Sequence, residues 1–370
     1  MMLRLSFAKG MYSSRLAAAR FCSTVTACPY GRTMAQEMHM PTVDHCPVVG
    51  DTPETSCPVE HHLTRKTSLY TMISTMGKTQ LSAYVAATAL AGYVIGCGTS
   101  PLVAGAITMG TMLQSCSANT ANQILEREHD KAMKRTCRRP LPMGLISPLN
   151  ATLISGTELA IGTGMLYMIS PTAAALGLLN WFLYVGMYTP LKRVSATNTW
   201  FGSIVGGIPP LMGGVAVNGV IAPQVWMLGT FLFVWQIPHF HGLAFHCRRD
   251  YEAAGYKMLA FSHPWRASFY SVLMSLVMAF LTLVVPSAVG MEVEGVWYYP
   301  LALAANAAMI YKSLLFHQQP VRHCRGCFVF SYVYLSIMLA AFMLNHLQPM
   351  HFVERMIDTY TKEESTPLIE

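Results

Sequence analysis

The sequence predicts an all-α, polytopic membrane protein: a bundle of nine transmembrane helices around a central cavity. Three observations predict it. Hydrophobic residues make up 53% of the 370-residue chain and charged residues only 12%, against about a quarter charged in soluble domains. Nine apolar stretches are long enough, or nearly so, to cross a hydrocarbon core of about 30 Å, which takes about 20 helical residues. The loops joining them alternate between strongly basic and free of Lys and Arg. Spans must be helical, because a lipid-facing backbone has to satisfy its own hydrogen bonds. The net charge of +7 does not imply nucleic acid, since no basic run is interleaved with exposed aromatics.

The N-terminal residues 1–35 read as a mitochondrial presequence. Arg4, Lys9, Arg15 and Arg20 sit among Ser, Ala and Leu, the first acidic residue is Glu37, and no compact apolar stretch follows. Processing near Cys22-Ser23 fits this pattern. Residues 36–78, rich in Pro, His, Thr and Cys without periodicity, read as a disordered matrix tail. The membrane domain, 79–347, carries the apolar stretches near 80–97, 101–125, 148–168, 171–188, 198–218, 223–246, 267–289, 297–316 and 326–347, and a C-terminal tail follows at 348–370. The gaps at 98–100, 169–170 and 219–222 admit only tight turns, so those neighbours are antiparallel hairpins.

Charge orients the bundle. The loops after spans two, four, six and eight carry Arg127, Lys131, Lys134, Arg135, Arg138 and Arg139; Lys192 and Arg193; Arg248, Arg249, Lys257 and Arg266; and Lys312, Arg322 and Arg325. The loops after spans one, three, five and seven carry no Lys or Arg. This places the N-terminus and every basic loop on one side, the matrix side of the mitochondrial inner membrane if the presequence reading holds. The acidic C-terminal tail falls on the other.

The ten cysteines are scattered and several fall inside apolar stretches, which suits a reducing compartment better than a disulfide framework. Cys324-Arg325-Gly326-Cys327 is a lone CxxC, and chance explains it. Cys28-Pro29, Cys46-Pro47 and Cys57-Pro58 repeat a Cys-Pro dipeptide that resembles short haem-responsive motifs.

Chemistry concentrates where span two ends. Asn122, Glu126 and Asp130 recur at steps of four and form one polar stripe on a helix. Asn119 extends it by a turn, and Lys134, Arg135, Arg138 and Arg139 follow at once. Oxygen ligands beside clustered cations suit a divalent metal bridged to an anionic ligand, with Mg²⁺ (or Mn²⁺ in its place) taking one or two carboxylates. The plainer reading, a solvated helix end that only sets topology, explains the cations but not three ligand-type side chains on one face. Span six ends in His239, His241, His246 and Asp250, again followed by Arg and Lys. Two such closures four spans apart suggest two parallel halves around a central cavity. In span five, Gly202, Gly206, Gly207, Gly213 and Gly214 flank Pro209-Pro210. The glycines favour close helix packing, and the proline pair is expected to kink or unwind the span.

These residues also carry a resemblance. The stretch NxxNQxxExxxDxxMxRTxxRPL, from Asn119 to Leu141, resembles the first acidic motif of the membrane-embedded UbiA-type prenyltransferases. Tyr188-Thr189-Pro190-Leu191-Lys192-Arg193, then Asn198-Thr199 with Gly202 and Pro209-Pro210, is similar to the middle block of that superfamily's haem-farnesylating branch. Trp235-Gln236-Ile237-Pro238-His239-Phe240, followed by Asp250-Tyr251 and Ala254-Gly255, is similar to its second signature. The resemblance spans roughly residues 80–345.

The resemblance implies the UbiA-type fold and transfer of a farnesyl group from farnesyl diphosphate to a vinyl group of haem b, giving haem O. It implies that Asn122, Glu126, Asp130 and Asp250 hold Mg²⁺ on the diphosphate, and that Arg135, Arg139, Lys192 and Arg193 neutralise its oxygens. His239 and Tyr188 are implied haem contacts, beside the reading of His239 as a histidine hydrogen-bonded within the bundle. The implied partners are haem b, farnesyl diphosphate, the lipid bilayer, and the downstream haem A synthase or oxidase assembly machinery. Two departures matter. Glu126 stands where many members have Asp, and Asp250 has no acidic neighbour until Glu252. The competing readings are an aromatic prenyltransferase acting on a quinone precursor, a transporter, and a non-catalytic haem-binding assembly factor.

Overall fold

Serine followed by proline opens three of the apolar stretches, and each time the serine hydroxyl caps the helix that the proline begins. Ser100, Ser147 and Ser170 accept hydrogen bonds from the backbone N–H of Val103, Asn150 and Ala173, satisfying donors a helix N-terminus leaves open, while proline's fixed φ suits the first helical position. The computed structural model describes residues 68–346 apart from 292 and 294. The chain divides into two units, 1–53 and 54–370, and every described residue belongs to the second. The presequence, the Cys-Pro dipeptides, most of the matrix tail and the C-terminal tail lie outside the described residues.

The elements run α1 (Leu69–Met76), α2 (Thr79–Ile95), α3 (Pro101–Leu125), α4 (Arg127–Ala132), α5 (Pro148–Ile169) and α6 (Pro171–Phe182). A π-helical turn, Leu183–Tyr188, joins α6 to α7 (Thr189–Val194). Then come α8 (Asn198–Asn218), α9 (Pro223–His246), α10 (Arg248–Ala253), α11 (Leu259–Ser262), α12 (Pro264–Leu283), α13 (Val285–Ala288), α14 (Gly295–Gln318) and α15 (Pro320–His346). Among the described residues each predicted apolar stretch is occupied by a helix. Four of them, at 148–169, 198–217, 264–283 and 320–345, are long and apolar enough to cross a membrane on length and composition.

Helix α3, 25 residues long, is too polar on average to join them. It buries Thr111, Gln114, Ser117, Asn119, Thr120, Asn122 and Gln123, while Leu102 is 83% and Met109 52% exposed. Polar inside and apolar outside is the reverse of a water-soluble helix, and it suits a hydrocarbon solvent with polar groups gathered within the bundle. Hydrogen bonds then tie helices together where hydrophobic contrast cannot: Ser117 with Ser155, Trp181 Nε1 to Ser117, and Asn306 with Thr282 and Tyr334.

Two clusters make up most of the apolar core among the described residues. One gathers Ala89, Ile107, Leu166, Ala173 and Met212 from α2, α3, α5, α6 and α8. The other is built on α9, α12, α14 and α15, with Phe231, Met278, Tyr298, Phe316 and Phe342 at its centre. Helices α2 and α8 cross closely: a Cβ on Gly92 would strike the Pro210 carbonyl, and one on Gly213 the Ala89 carbonyl. The packing reading of the span-five glycines is therefore the right one.

Two expectations need correction. Helix α8 continues unbroken through Pro209 and Pro210, so the proline pair does not unwind the span. The irregular turn lies instead one helix earlier, at Leu183–Tyr188. The stretch before residue 79 is also not all unstructured. Ser68 caps α1, Met76 is fully buried against Leu141 and Ala151, and Gly77 closes the helix.

Candidate active site

The stripe on α3 keeps its register past the end of that helix. Glu126 N–H donates to the Asn122 carbonyl at 2.9 Å and Asp130 N–H to the Glu126 carbonyl at 2.8 Å, so Asn122, Glu126 and Asp130 stand on consecutive turns although α3 ends at Leu125. All three are buried, with 1%, 6% and 1% exposure. Bare carboxylates there would be prohibitively costly, and each is met by a cation. Lys192 donates to Glu126 Oε1 at 2.9 Å, and Arg139 Nη1 to Asp130 Oδ2 at 2.8 Å. Burial pushes the Glu126 carboxyl up, but Lys192 and its hydrogen bond outweigh this and hold it below the usual range. Burial likewise lowers Lys192, and Glu126 raises it well above an ordinary lysine.

A third cation enters from a position that motif reading passed over. Lys78, in the turn between α1 and α2, adopts φ of 45°, the left-handed region, costly for a residue with a Cβ and often kept for function. Its Nζ reaches Asn122 Oδ1 at 3.4 Å. Desolvation, followed by repulsion from Arg139 and Lys192, brings it down to about 7. The available signal was its place as the last cation before span one.

The π-helical turn supplies the opposite wall. Asn122 Nδ2 donates to Thr189 Oγ1 at 3.0 Å, Thr189 Oγ1 donates to the Tyr184 carbonyl at 2.8 Å, and Tyr184 OH donates to Asn119 Oδ1 at 3.2 Å. Tyr188 stacks on Tyr184, with ring centroids 5.3 Å apart, and lies under Lys192 with Nζ 4.5 Å from its ring centre. An extra residue in the turn rotates both tyrosines onto the stripe, a use π-turns often serve. Tyr256 closes another side, 5.9 Å from Lys192 Nζ.

The structure thus brings together Asn122, Glu126, Asp130, Arg139, Lys192 and Tyr188. The remaining expected residues stand apart from this cluster. Asp250, on α10, is half-buried and makes no ion pair among the described residues. The two signature regions do meet: His129 hydrogen-bonds the Ala254 carbonyl at 3.0 Å, and Arg135 lies 5.9 Å from the Tyr251 ring centre. Among the described residues no three His, Cys, Asp or Glu side chains converge as a ready metal cage. Of the expected ligands, Glu126 and Asp130 are each paired with a cation of the chain itself. Arg193 is exposed, its nearest polar partner being His129 at 3.5 Å.

His239 belongs to different surroundings. It stacks on Trp235 at 4.7 Å, packs against Phe328 and Tyr332, and its Nδ1 meets Ser331 Oγ at 2.8 Å. Its ring is thus hydrogen-bonded and stacked within the bundle. Cys324 and Cys327 are free, buried thiols on one face of α15.

The UbiA prenyltransferase family pattern matches residues 85–345. The human mitochondrial protoheme IX farnesyltransferase is 36% identical over 272 residues, covering 72% of this chain and 60% of that protein. The corresponding protein of Arabidopsis thaliana is 43% identical over 195 residues, covering 51% of this chain and 45% of its own length. The chain thus spans 60% or less of these relatives. A structure concerning digeranylgeranylglyceryl phosphate synthase superposes with a TM-score of 0.65 at 18% identity, over 75% of this chain and 98% of that one. A UbiA homologue from Archaeoglobus fulgidus, bound to DMAPP and Mg²⁺, gives 0.52 at 16% identity, over 73% and 99%. These structural likenesses concern the fold. With the pattern covering most of the described residues, the chain belongs to the UbiA prenyltransferase family.

Proposed function

We propose that this chain transfers the farnesyl group of farnesyl diphosphate to a vinyl group of haem b, forming haem O. The observation that carries the reading is the buried array of Asn122, Glu126 and Asp130 matched by Lys78, Arg139 and Lys192. Oxygen donors interleaved with three inward-facing cations suit a polyanion that arrives with a divalent metal. The names of the farnesyltransferase relatives support the substrates, and the DMAPP- and Mg²⁺-bound homologue supports the pairing of a prenyl diphosphate with a metal.

The reaction is leaving-group catalysis. As the allylic C–O bond breaks, its electron pair leaves with the diphosphate, and negative charge builds on the phosphate oxygens. Lys192 and Arg139 are already aimed inward, where fixed cations stabilise developing charge far better than water-exposed ones, and Lys78 adds a third positive charge when protonated. The vinyl terminal carbon of haem attacks the farnesyl cation, and water adds to the resulting cation with loss of a proton. Tyr184 and Tyr188 wall the site, and their ring faces stabilise positive charge nearby.

The residues fit a bound Mg²⁺. Asn122, Glu126 and Asp130 present only oxygen ligands in helical register, as a hard cation requires, and Asp250 would complete the set. When bound, Mg²⁺ supplies Lewis-acid neutralisation of the diphosphate. On this reading the nine predicted apolar stretches span the mitochondrial inner membrane, with the site mouth facing the matrix, and haem O passes to haem A synthase or the oxidase assembly machinery.

The test is to incubate the purified protein with haem b, farnesyl diphosphate and Mg²⁺, and to seek haem O by chromatography with mass detection. No product, or product indifferent to chelator and to Asp130→Ala, overturns the proposal.

A further inference from the structure

A farnesyl acceptor must come within bonding distance of the cluster, and two cavities adjoin it. The interior one, lined by Tyr188, Asn198, Phe240 and Tyr251, has a volume of about 20 Å³, room for about one water. The other is an open groove of about 490 Å³ between the loop that follows α7 and the segment from Tyr256 through α11. That volume lies in the range of small-molecule sites, about 300–1,000 Å³.

We propose that this groove seats the acceptor: a flat apolar macrocycle with peripheral carboxylates, the shape and charge of haem b. The inference rests on the farnesyl-transfer reading and names where its second substrate sits. The walls combine apolar Val194, Ala196, Met258 and Phe261 with Tyr256 and two serines, and the lining holds one cation, Lys257, and no acidic residue. Lys257 is exposed and makes no ion pair among the described residues. An apolar plate with an anionic edge matches that lining.

The groove is a built feature continuous with the reactive cluster. Asn198, buried at 2% exposure, uses its Nδ2 to bridge the two walls, donating to the Ser195 carbonyl at 2.8 Å and to the Lys257 carbonyl at 2.7 Å. The Lys257 N–H donates to the Lys192 carbonyl at 2.8 Å, so the groove's cation and the Glu126-paired lysine share one backbone junction. Tyr256 lines the groove, and its ring centre lies 5.9 Å from Lys192 Nζ. One aromatic ring therefore separates the groove from the site of ionisation.

The experiment uses the full-length protein in detergent, titrated with haem b and with iron protoporphyrin IX dimethyl ester, which lacks the carboxylate charges. Soret absorbance reports binding, and thermal midpoints confirm folding. Lys257→Glu should weaken haem b about fivefold, the scale of an exposed ion pair turned to repulsion, and leave the diester within about twofold. Ser262→Trp, which fills the groove from an exposed position, should weaken both ligands. Mg²⁺-dependent binding of farnesyl diphosphate should be unchanged in both variants. Wild-type affinity for haem b in both variants overturns the groove assignment. Equal loss of haem b and diester on Lys257→Glu overturns the role of Lys257. Wild-type protein that binds farnesyl diphosphate but neither porphyrin refutes the haem reading itself.

Discussion

Replacing Lys192 with Met separates what the Glu126–Lys192 pair does for folding from what it does for reaction. The side chains are 8% and 11% exposed and meet at 2.9 Å. Removing the lysine strands a buried carboxylate, which typically costs about 3–5 kcal/mol. Lys78 also raises no barrier to that carboxylate and attracts it, so the loss should fall near the lower end, about 3 kcal/mol. Restoring neutrality with Glu126→Gln in the same chain should recover stability to within about 1 kcal/mol, since replacing both partners of a buried pair is often neutral. Activity should not recover. The single variant loses one fixed cation facing the leaving group, worth about 10²–10³ in kcat, and the double variant loses a metal ligand as well. Thermal unfolding in detergent and initial rates of haem O formation measure the two effects. A double variant as unstable as the single one, or a Lys192→Met enzyme within about threefold of wild-type kcat, refutes the reasoning.

Three further outcomes follow from the same geometry. Lys78 titrates near 7 instead of 10.5, so between those values the unfolded chain binds more protons and stability rises with pH. Metal-free protein should gain up to about 1.4 kcal/mol per pH unit above pH 7, and Lys78→Met should flatten that dependence in thermal melts at pH 7–9. Asp250 makes no ion pair among the described residues, so Asp250→Asn should leave stability within about 0.5 kcal/mol while raising the Mg²⁺ concentration needed for half-maximal rate; an unchanged metal requirement removes Asp250 from the ligand set. Gly213→Ala drives a methyl into the Ala89 carbonyl and should cost about 1–3 kcal/mol by overpacking, read as a lower thermal midpoint with the metal requirement unchanged.

The helical stretches were legible because a membrane span must be apolar over a set length, and the Ser-Pro openings mark where several begin. The Asn122, Glu126 and Asp130 stripe was legible because its period matches the helix and its residue types are expensive in that setting. Lys78 was not, since a lone lysine ahead of a span reads as a topology signal. Its importance comes from a left-handed turn that aims it at Asn122. The π-helical turn was equally hidden, because an extra residue per turn leaves no mark on an apolar sequence. His239 carries the same motif spacing as its neighbours, yet the rotation of α9 directs it to Ser331 and away from the cluster.

Local chemistry along the chain determined the class of protein, the helical register of the oxygen ligands, and the family to which they belong. These depend on periodicity, span length and residue type, all of which are one-dimensional quantities. The tertiary structure decided which cation meets which carboxylate: Lys192 from α7 with Glu126, Arg139 with Asp130, and Lys78 with Asn122. It also left Asp250 outside the paired set. Charge in a dry interior must be neutralised within a few ångströms; Arg139 lies nine residues beyond Asp130 in one segment, but only the packing of separate elements brings Lys192 to Glu126 and Lys78 to Asn122.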